Sequence, residues 1–233
     1  MKKLIIPNKS NATSGDYNHF DRMNERMKNY SPKQLECSGE FTKISKKYKS
    51  TTDKGPYSAY WRKHCYTEFY GPLLSHLKNE PLEILEIGVR WGGSLLMWSD
   101  YFPNAKITGV DINLNQMNDE TKEMIQERGI QTICGNAYSH DFYKRNFSNK
   151  TFDIILDDGS HREEEQIKFF NIYKNAIKKG GYLMSEDFPT VQQAKNVISG
   201  FSGKINNMSL VIRNHCIPSG KGEIIVMYKE EQQ

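Results

Sequence analysis

Two short acidic stretches carry the side chains best suited to chemistry in this sequence. One reads Asp157-Asp158-Gly159-Ser160-His161 and the other Glu186-Asp187. Each closes an apolar run, FDIILDDG and YLMSEDF, with the near-continuous hydrophobicity of a buried strand. If those runs are adjacent parallel strands, their ends bring Asp158, Glu186 and Asp187 into one small volume. Three unneutralised carboxylates there repel, and at least one takes a proton. A hard divalent cation removes the conflict, because Mg2+ accepts carboxylate oxygens and keeps open positions for water or substrate. The competing reading makes the acids helix caps, with Asp158 or Ser160 serving a helix near His161 and Asp187 one near Thr190. His161 stands three residues after Asp158, at the mouth of the same crevice. Histidine exchanges a proton near neutral pH, so this one suits removal of a proton from an alcohol. His19, His64, His76, His140 and His215 lack such an address and are read as structural.

A second constellation lies upstream. Glu86-Ile87-Gly88-Val89-Arg90-Trp91-Gly92-Gly93-Ser94 ends the run LEILEIGV and opens a helical stretch. Glycines in such a loop let backbone approach a ligand closely, and Ser94 is placed to cap the helix. The run KITGVDI contains Asp111, 23 residues after Gly88, whose carboxylate can accept both hydroxyls of a ribose. Loop and acid together imply a nucleoside cofactor, either NAD or S-adenosylmethionine.

These residues need a frame that gathers strand ends. LEILEIGV, KITGVDI, QTICGNA, FDIILDDG and YLMSEDF read as five strands buried on both faces, with SLLMWSDYF, NDETKEMIQERG, a segment around Phe142 to Phe147 and HREEEQIKFFNIYKNAIKKGG as helices between them. The last helix carries Ile167, Phe170, Tyr173 and Ile177 on one stripe and is expected to close at Lys178-Lys179-Gly180. A helix TVQQAKNVISGF follows, then SLVIRNHCI and EIIVMYK, joined through PSGKG as an antiparallel hairpin. Between Tyr57 and Leu77, Tyr60, Trp61, Phe69, Leu73, Leu74 and Leu77 recur at helical spacing, with Gly71-Pro72 as a break and a sheet edge as the surface to cover. The expected architecture is a Rossmann-like, doubly wound, mostly parallel seven-stranded α/β sheet with a C-terminal antiparallel hairpin. In such sheets ligands bind beyond the C-terminal strand ends.

Composition fits one such domain of residues 51–233 plus an arm or cap of residues 1–50. The chain has 233 residues, 37% hydrophobic and 26% charged, with a net charge of +4. Residues 1–55 hold 12 Lys and Arg against 6 Asp and Glu, so the basicity is local to the arm. KISKKYK lacks aromatic interleaving and any nucleic-acid motif, and is read as a solvated segment. Tyr17, Phe20, Met23, Met27 and Tyr30, with at most a short helix around Phe20 to Tyr30, make the arm a cover for the site or a subunit contact in a homo-oligomer. No apolar run approaches the ~20 residues of a membrane span. Cys37, Cys65, Cys134 and Cys216 are scattered without CxxC spacing, which suits reduced thiols in the cytoplasm better than disulfides or a zinc site.

The loop without strict GxGxxG spacing, Glu86 two residues before its first glycine, VDI and the terminal hairpin together resemble the class I S-adenosylmethionine-dependent methyltransferases. That resemblance implies Gly88, Gly92 and Gly93 against the methionine portion, Asp111 on the ribose, and Asn136-Ala137 beside adenine. Glu86, Ser94 and Asp157 join the cofactor set. DDGSH and ED, with Thr52-Asp53-Lys54-Gly55 and Tyr66-Thr67-Glu68-Phe69-Tyr70, are similar to the metal-dependent sugar O-methyltransferases of macrolide tailoring and their cephalosporin-hydroxylase-like relatives. This narrower resemblance covers roughly residues 51–190. It implies Mg2+ ligation by Asp158, Glu186 and Asp187, a general base at His161, and closure over the cofactor by the segments carrying Lys54 and Tyr66. The acceptor would be a sugar hydroxyl or a glycosylated small molecule. A non-catalytic adaptor using the basic arm and an NAD-dependent oxidoreductase are the rival readings.

Overall fold

The computed structural model describes residues 39–59, 64–213 and 223–231. Seven strands form one sheet in the order β3-β2-β1-β4-β5-β7-β6. They are β1 (Glu83–Ile87), β2 (Lys106–Asp111), β3 (Gln131–Cys134), β4 (Phe152–Asp157), β5 (Ile177–Ser185), β6 (Met208–Arg213) and β7 (Glu223–Lys229). The first five run parallel, and β7 enters antiparallel between β5 and β6. This is the expected seven-stranded sheet with its terminal antiparallel pair. Two sequence-adjacent strands joined by a short link pair with each other, and β7 also completes the edge of β5.

Period-2 alternation divides the strand side chains between two cores. Ile84, Ile154, Met184 and Met227 enter one cluster, and their neighbours Leu85, Ile155, Leu183 and Val226 enter the other. The helices α1 (Glu40–Ser45), α2 (Thr67–Leu74), α3 (Gly93–Tyr101) and α4 (Asp119–Glu127) seal the first face; α5 (His140–Phe147), α6 (Glu163–Tyr173) and α7 (Val191–Ser199) seal the second. The result is a doubly wound, three-layer arrangement.

Four expectations need correction. β3 is an edge strand with no fully buried residue, because only β2 flanks it. The helix holding Phe170 ends at Tyr173, and Ile177-Lys178-Lys179-Gly180 belongs to β5. There Ile177 pairs with Phe152, Lys178 Nζ lies 2.8 Å from Asp153 Oδ2, and Gly180 takes a positive φ beside a break in register. Helix α2 runs straight through Pro72. Burial of Phe69, Tyr70, Leu73 and Leu74, all at most 2% exposed, outweighs the single backbone bond that proline forfeits. That helix shares a core with central strands β1, β4, β5 and β7, so it covers a face of the sheet and not an edge. Tyr60, Trp61 and the helix expected around Phe20 to Tyr30 lie outside the described residues.

Within the described part of the arm, Phe41 stacks on Tyr101 at 4.3 Å between ring centroids, and Tyr48 and Lys47 both donate to Asp100. Arg128 completes that junction from the end of α4 with a 2.8 Å bond to Asp100. Among the described residues no helix is long and apolar enough to cross a membrane.

Candidate active site

Sheet register aligns the ends of four strands. Val110 pairs with Ile87, Ile87 with Asp157, and Asp157 with Ser185, so Asp111, Gly88, Asp158 and Glu186 leave the sheet side by side. Gly88 has φ +85, and a Cβ on it would overlap the backbone of Asp158 and Gly159. Glycine is demanded there by the approach of two loops. The other two glycines answer to packing as well: a Cβ at Gly92 would meet Ile125 and Thr121, and one at Gly93 would meet Thr51.

Three potential ligands converge over this row. Single ligand atoms of Asp158, His161 and Asp187 all lie within 4.8 Å of one another. His161 Nε2 is 4.0 Å from Asp158 Oδ1 and 3.7 Å from Asp187 Oδ2. Neither aspartate caps a helix. The residue preceding α6 is Arg162, without a side-chain cap, and Thr190 caps α7 through a 3.1 Å bond from Gln193 N–H. The cap reading of these acids therefore fails, and two partly exposed carboxylates beside an imidazole remain, an oxygen-rich set that fits a hard divalent cation.

Glu186 is placed differently. It is fully buried, its Oε1 accepts a short hydrogen bond from Tyr70, and its Oε2 lies 2.7 Å from Lys54 Nζ. Lys54 is the centre of a buried charge cluster, with Asp158 Oδ2 at 2.5 Å and Glu86 Oε1 at 3.4 Å. Burial opposes the Lys54 ammonium, but Asp158, Glu186 and Glu86 outweigh it and push its pKa well up. Burial lifts Glu86 to about 7 and Glu186 well above the carboxylate range, with Lys54 pulling both back. One ammonium thus holds three acids from separate strand ends. Tyr66 donates to Asp187 Oδ1, and its oxygen accepts the Asp187 N–H at 3.2 Å.

A cavity of about 530 Å3 opens beside the cluster, within the range of small-molecule sites. Gly88, Ser94, Asp111, Asn136 and Ala137 line it, together with Asp158, His161 and Asp187. Asp111 accepts the Arg90 N–H at 2.8 Å on one oxygen and the Asn113 N–H at 2.9 Å on the other, which leaves lone pairs for further donors. Ser94 lies inside α3, whose N-cap is Gly92, so it does not cap the helix as expected. Lys54, Tyr66, Glu86, Gly92, Gly93, Asp157 and Glu186 stand behind the wall. Asp157 is 1% exposed, accepts from Tyr138 at 2.6 Å and Ser185 at 2.9 Å, and is lifted by burial to about 6.

Several residues at the site were assigned no role from the sequence. Tyr138 joins Asp157 to the Ser160 N–H, and the Arg90 guanidinium stacks 3.6 Å from the centre of the Trp91 ring while its backbone adopts φ +44. The Arg90 and Trp91 types, inside the quoted glycine loop, were the available hint.

The strand order, the glycine turn at the end of β1 and the acid at the end of β2 define the Rossmann-like methyltransferase fold. Residues 70–203 match the Rhamnosyl O-methyltransferase/CmcI family, and the chain belongs to that family. It is 33% identical over 135 residues to the 8-demethyl-8-(2-methoxy-alpha-L-rhamnosyl)-tetracenomycin-C 3'-O-methyltransferase of Streptomyces olivaceus, covering 54% of this chain and 33% of that one. The mycinamicin VI 2''-O-methyltransferase of Micromonospora griseorubida is likewise 33% identical over 135 residues, covering 54% and 32%. The chain thus spans about a third of the length of these curated relatives. Among solved structures, the MycE methyltransferase of the mycinamycin pathway, in complex with Mg, SAH and mycinamycin VI, superposes with a TM-score of 0.58 at 22% identity, over 91% of this chain and 63% of that one.

Proposed function

We propose that this protein transfers a methyl group from S-adenosylmethionine to a hydroxyl of a sugar or glycosylated small molecule, with the help of a divalent cation, Mg2+ by preference. The observation that carries this reading is the meeting of Asp158, His161 and Asp187 beside the cavity walled by Gly88 and Asp111. The names of the two relatives, O-methyltransferases of a rhamnosyl tetracenomycin C and of mycinamicin VI, support the acceptor class.

S-adenosylmethionine supplies a methyl group on a good leaving group, so the protein must chiefly align the acceptor and remove its proton. A divalent cation held by Asp158, Glu186 and Asp187 would orient the acceptor hydroxyl and lower its pKa. Asp111 would hold the ribose hydroxyls, and Gly88 would let the cofactor lie against the strand end. His161, at the rim of the acid pair, would accept the acceptor's proton at Nε2. Lys54 keeps the buried acids compensated behind the wall. The arm of residues 1–50 would cover the site or contact a second copy of the domain 51–233, and the scattered thiols suit work in the cytoplasm.

A second reading concerns the cation's third protein contact. Glu186 must turn from Lys54 to reach the acid pair, whereas His161 Nε2 already stands within 4.0 Å of both aspartates. In that reading His161 is a ligand and not the base. Mn2+ affinity separates the two, because His161→Ala keeps it if histidine is the base and loses it if histidine is a ligand. Methyl transfer to a panel of glycosylated acceptors, with and without EDTA, tests the function itself. Full transfer in EDTA after extensive dialysis would reject the metal-assisted mechanism.

A further inference from the structure

Two side-chain amides tie together the loops that carry the acid cluster. Gln166 on α6 is completely buried, and its Nε2 donates to the Glu186 carbonyl at 3.0 Å. Its Oε1 accepts from Gln193 Nε2 at 2.7 Å, and the same Gln193 nitrogen donates to the His161 carbonyl at 2.8 Å. The chain of bonds runs from the backbone before Asp187, through α6 and α7, to the backbone of His161. Both of its ends sit in unusual conformations: His161 and Asp187 each have φ +57, a left-handed backbone that residues with a Cβ seldom adopt. Such conformations persist where the surroundings over-determine them, and backbone carbonyls held by a buried and a partly buried amide do that.

We infer that Gln166 and Gln193 are positioning residues that hold the imidazole of His161 and the carboxylate of Asp187 facing each other. The inference rests on the proposed role of that pair. Neither glutamine is among the residues lining the cavity, so each acts through the loop that it anchors. A glutamine is suited to this task because one amide both donates and accepts, which lets a single bridge satisfy two backbone carbonyls without adding charge beside the acids.

The test compares wild type, Gln193→Met and Gln166→Leu without metal, reading the His161 imidazole signals by NMR with a His161→Ala sample for assignment. The bridge predicts that these signals shift or split in both variants while those of His76 and His140 stay in place. Unchanged His161 signals in a folded variant would overturn it. Gln193 is only partly buried, so Gln193→Met carries the test if Gln166→Leu fails to fold. A parallel Mn2+ titration should show affinity weakened about tenfold or more in Gln193→Met, as for other supports of ligating side chains, with S-adenosylhomocysteine affinity unchanged. Equal Mn2+ affinity would also overturn the inference. A wild type that takes up no Mn2+ would sink the metal reading alone and leave the imidazole signals to decide on the bridge.

Discussion

Lys54 Nζ lies 2.5 Å from Asp158 Oδ2, across 104 residues of sequence and at 1% exposure. That contact locks the loop before α2 onto the end of β4 and supplies the positive charge for an otherwise acidic interior. Lys54→Met is expected to leave Glu86 and Glu186 buried without a counter-ion and to cost roughly 3–5 kcal/mol. Chemical denaturation would show it as a lower midpoint. A variant as stable as wild type would mean that the acids are protonated and need no partner.

Asp111→Ala is expected to weaken S-adenosylhomocysteine binding by about 1–3 kcal/mol, the cost of leaving polar groups of the ligand unmatched. Calorimetry reads this directly, and unchanged affinity would remove Asp111 from the cofactor site.

Gly88→Ala combines a positive φ with a Cβ driven into the Asp158 backbone. A loss of more than about 1 kcal/mol in stability is expected, together with displacement of Asp158. Gly129, also at positive φ but with open space around it, should lose less on the same change.

The junction of the arm is pH-sensitive in a defined direction. Burial opposes the ionised Asp100 carboxyl, but hydrogen bonds from Lys47 and Tyr48 and the charge of Arg128 outweigh it and hold the pKa below the ordinary value. A depressed carboxyl contributes stability above its unfolded pKa of about 4, and that contribution disappears as pH falls through the folded value. Asp100→Asn should therefore lose roughly 1 kcal/mol at pH 7 and nothing at the acid end. Thermal unfolding against pH would contradict this if the two proteins differed most in acid.

Central strands were legible because both faces are buried, so Leu85, Ile155 and Leu183 sit in near-continuous apolar runs. The end of α6 was not, because Lys-Lys-Gly-Gly carries a helix-stop composition, while pairing of Ile177 with Phe152 decides the matter in favour of strand. Asp158 and Asp187 could be placed together from strand ends alone, since parallel register fixes those ends. Which way each acid turns could not be read. Glu186 and Asp187 are neighbours in sequence, yet one faces Lys54 and the other faces His161, and the difference depends on a lysine 132 residues from Glu186 and on a left-handed turn at Asp187.

Asp158 and Asp187 are proposed to bind one divalent cation beside the cavity lined by Gly88 and Asp111. Electron paramagnetic resonance of Mn2+ titrated into the protein saturated with S-adenosylhomocysteine tests it most directly, in wild type and in the double variant Asp158→Asn, Asp187→Asn. One bound Mn2+ per wild-type chain, lost in the double variant while S-adenosylhomocysteine still binds, is the predicted result. Equal Mn2+ uptake by the two proteins, or none by wild type, would contradict it.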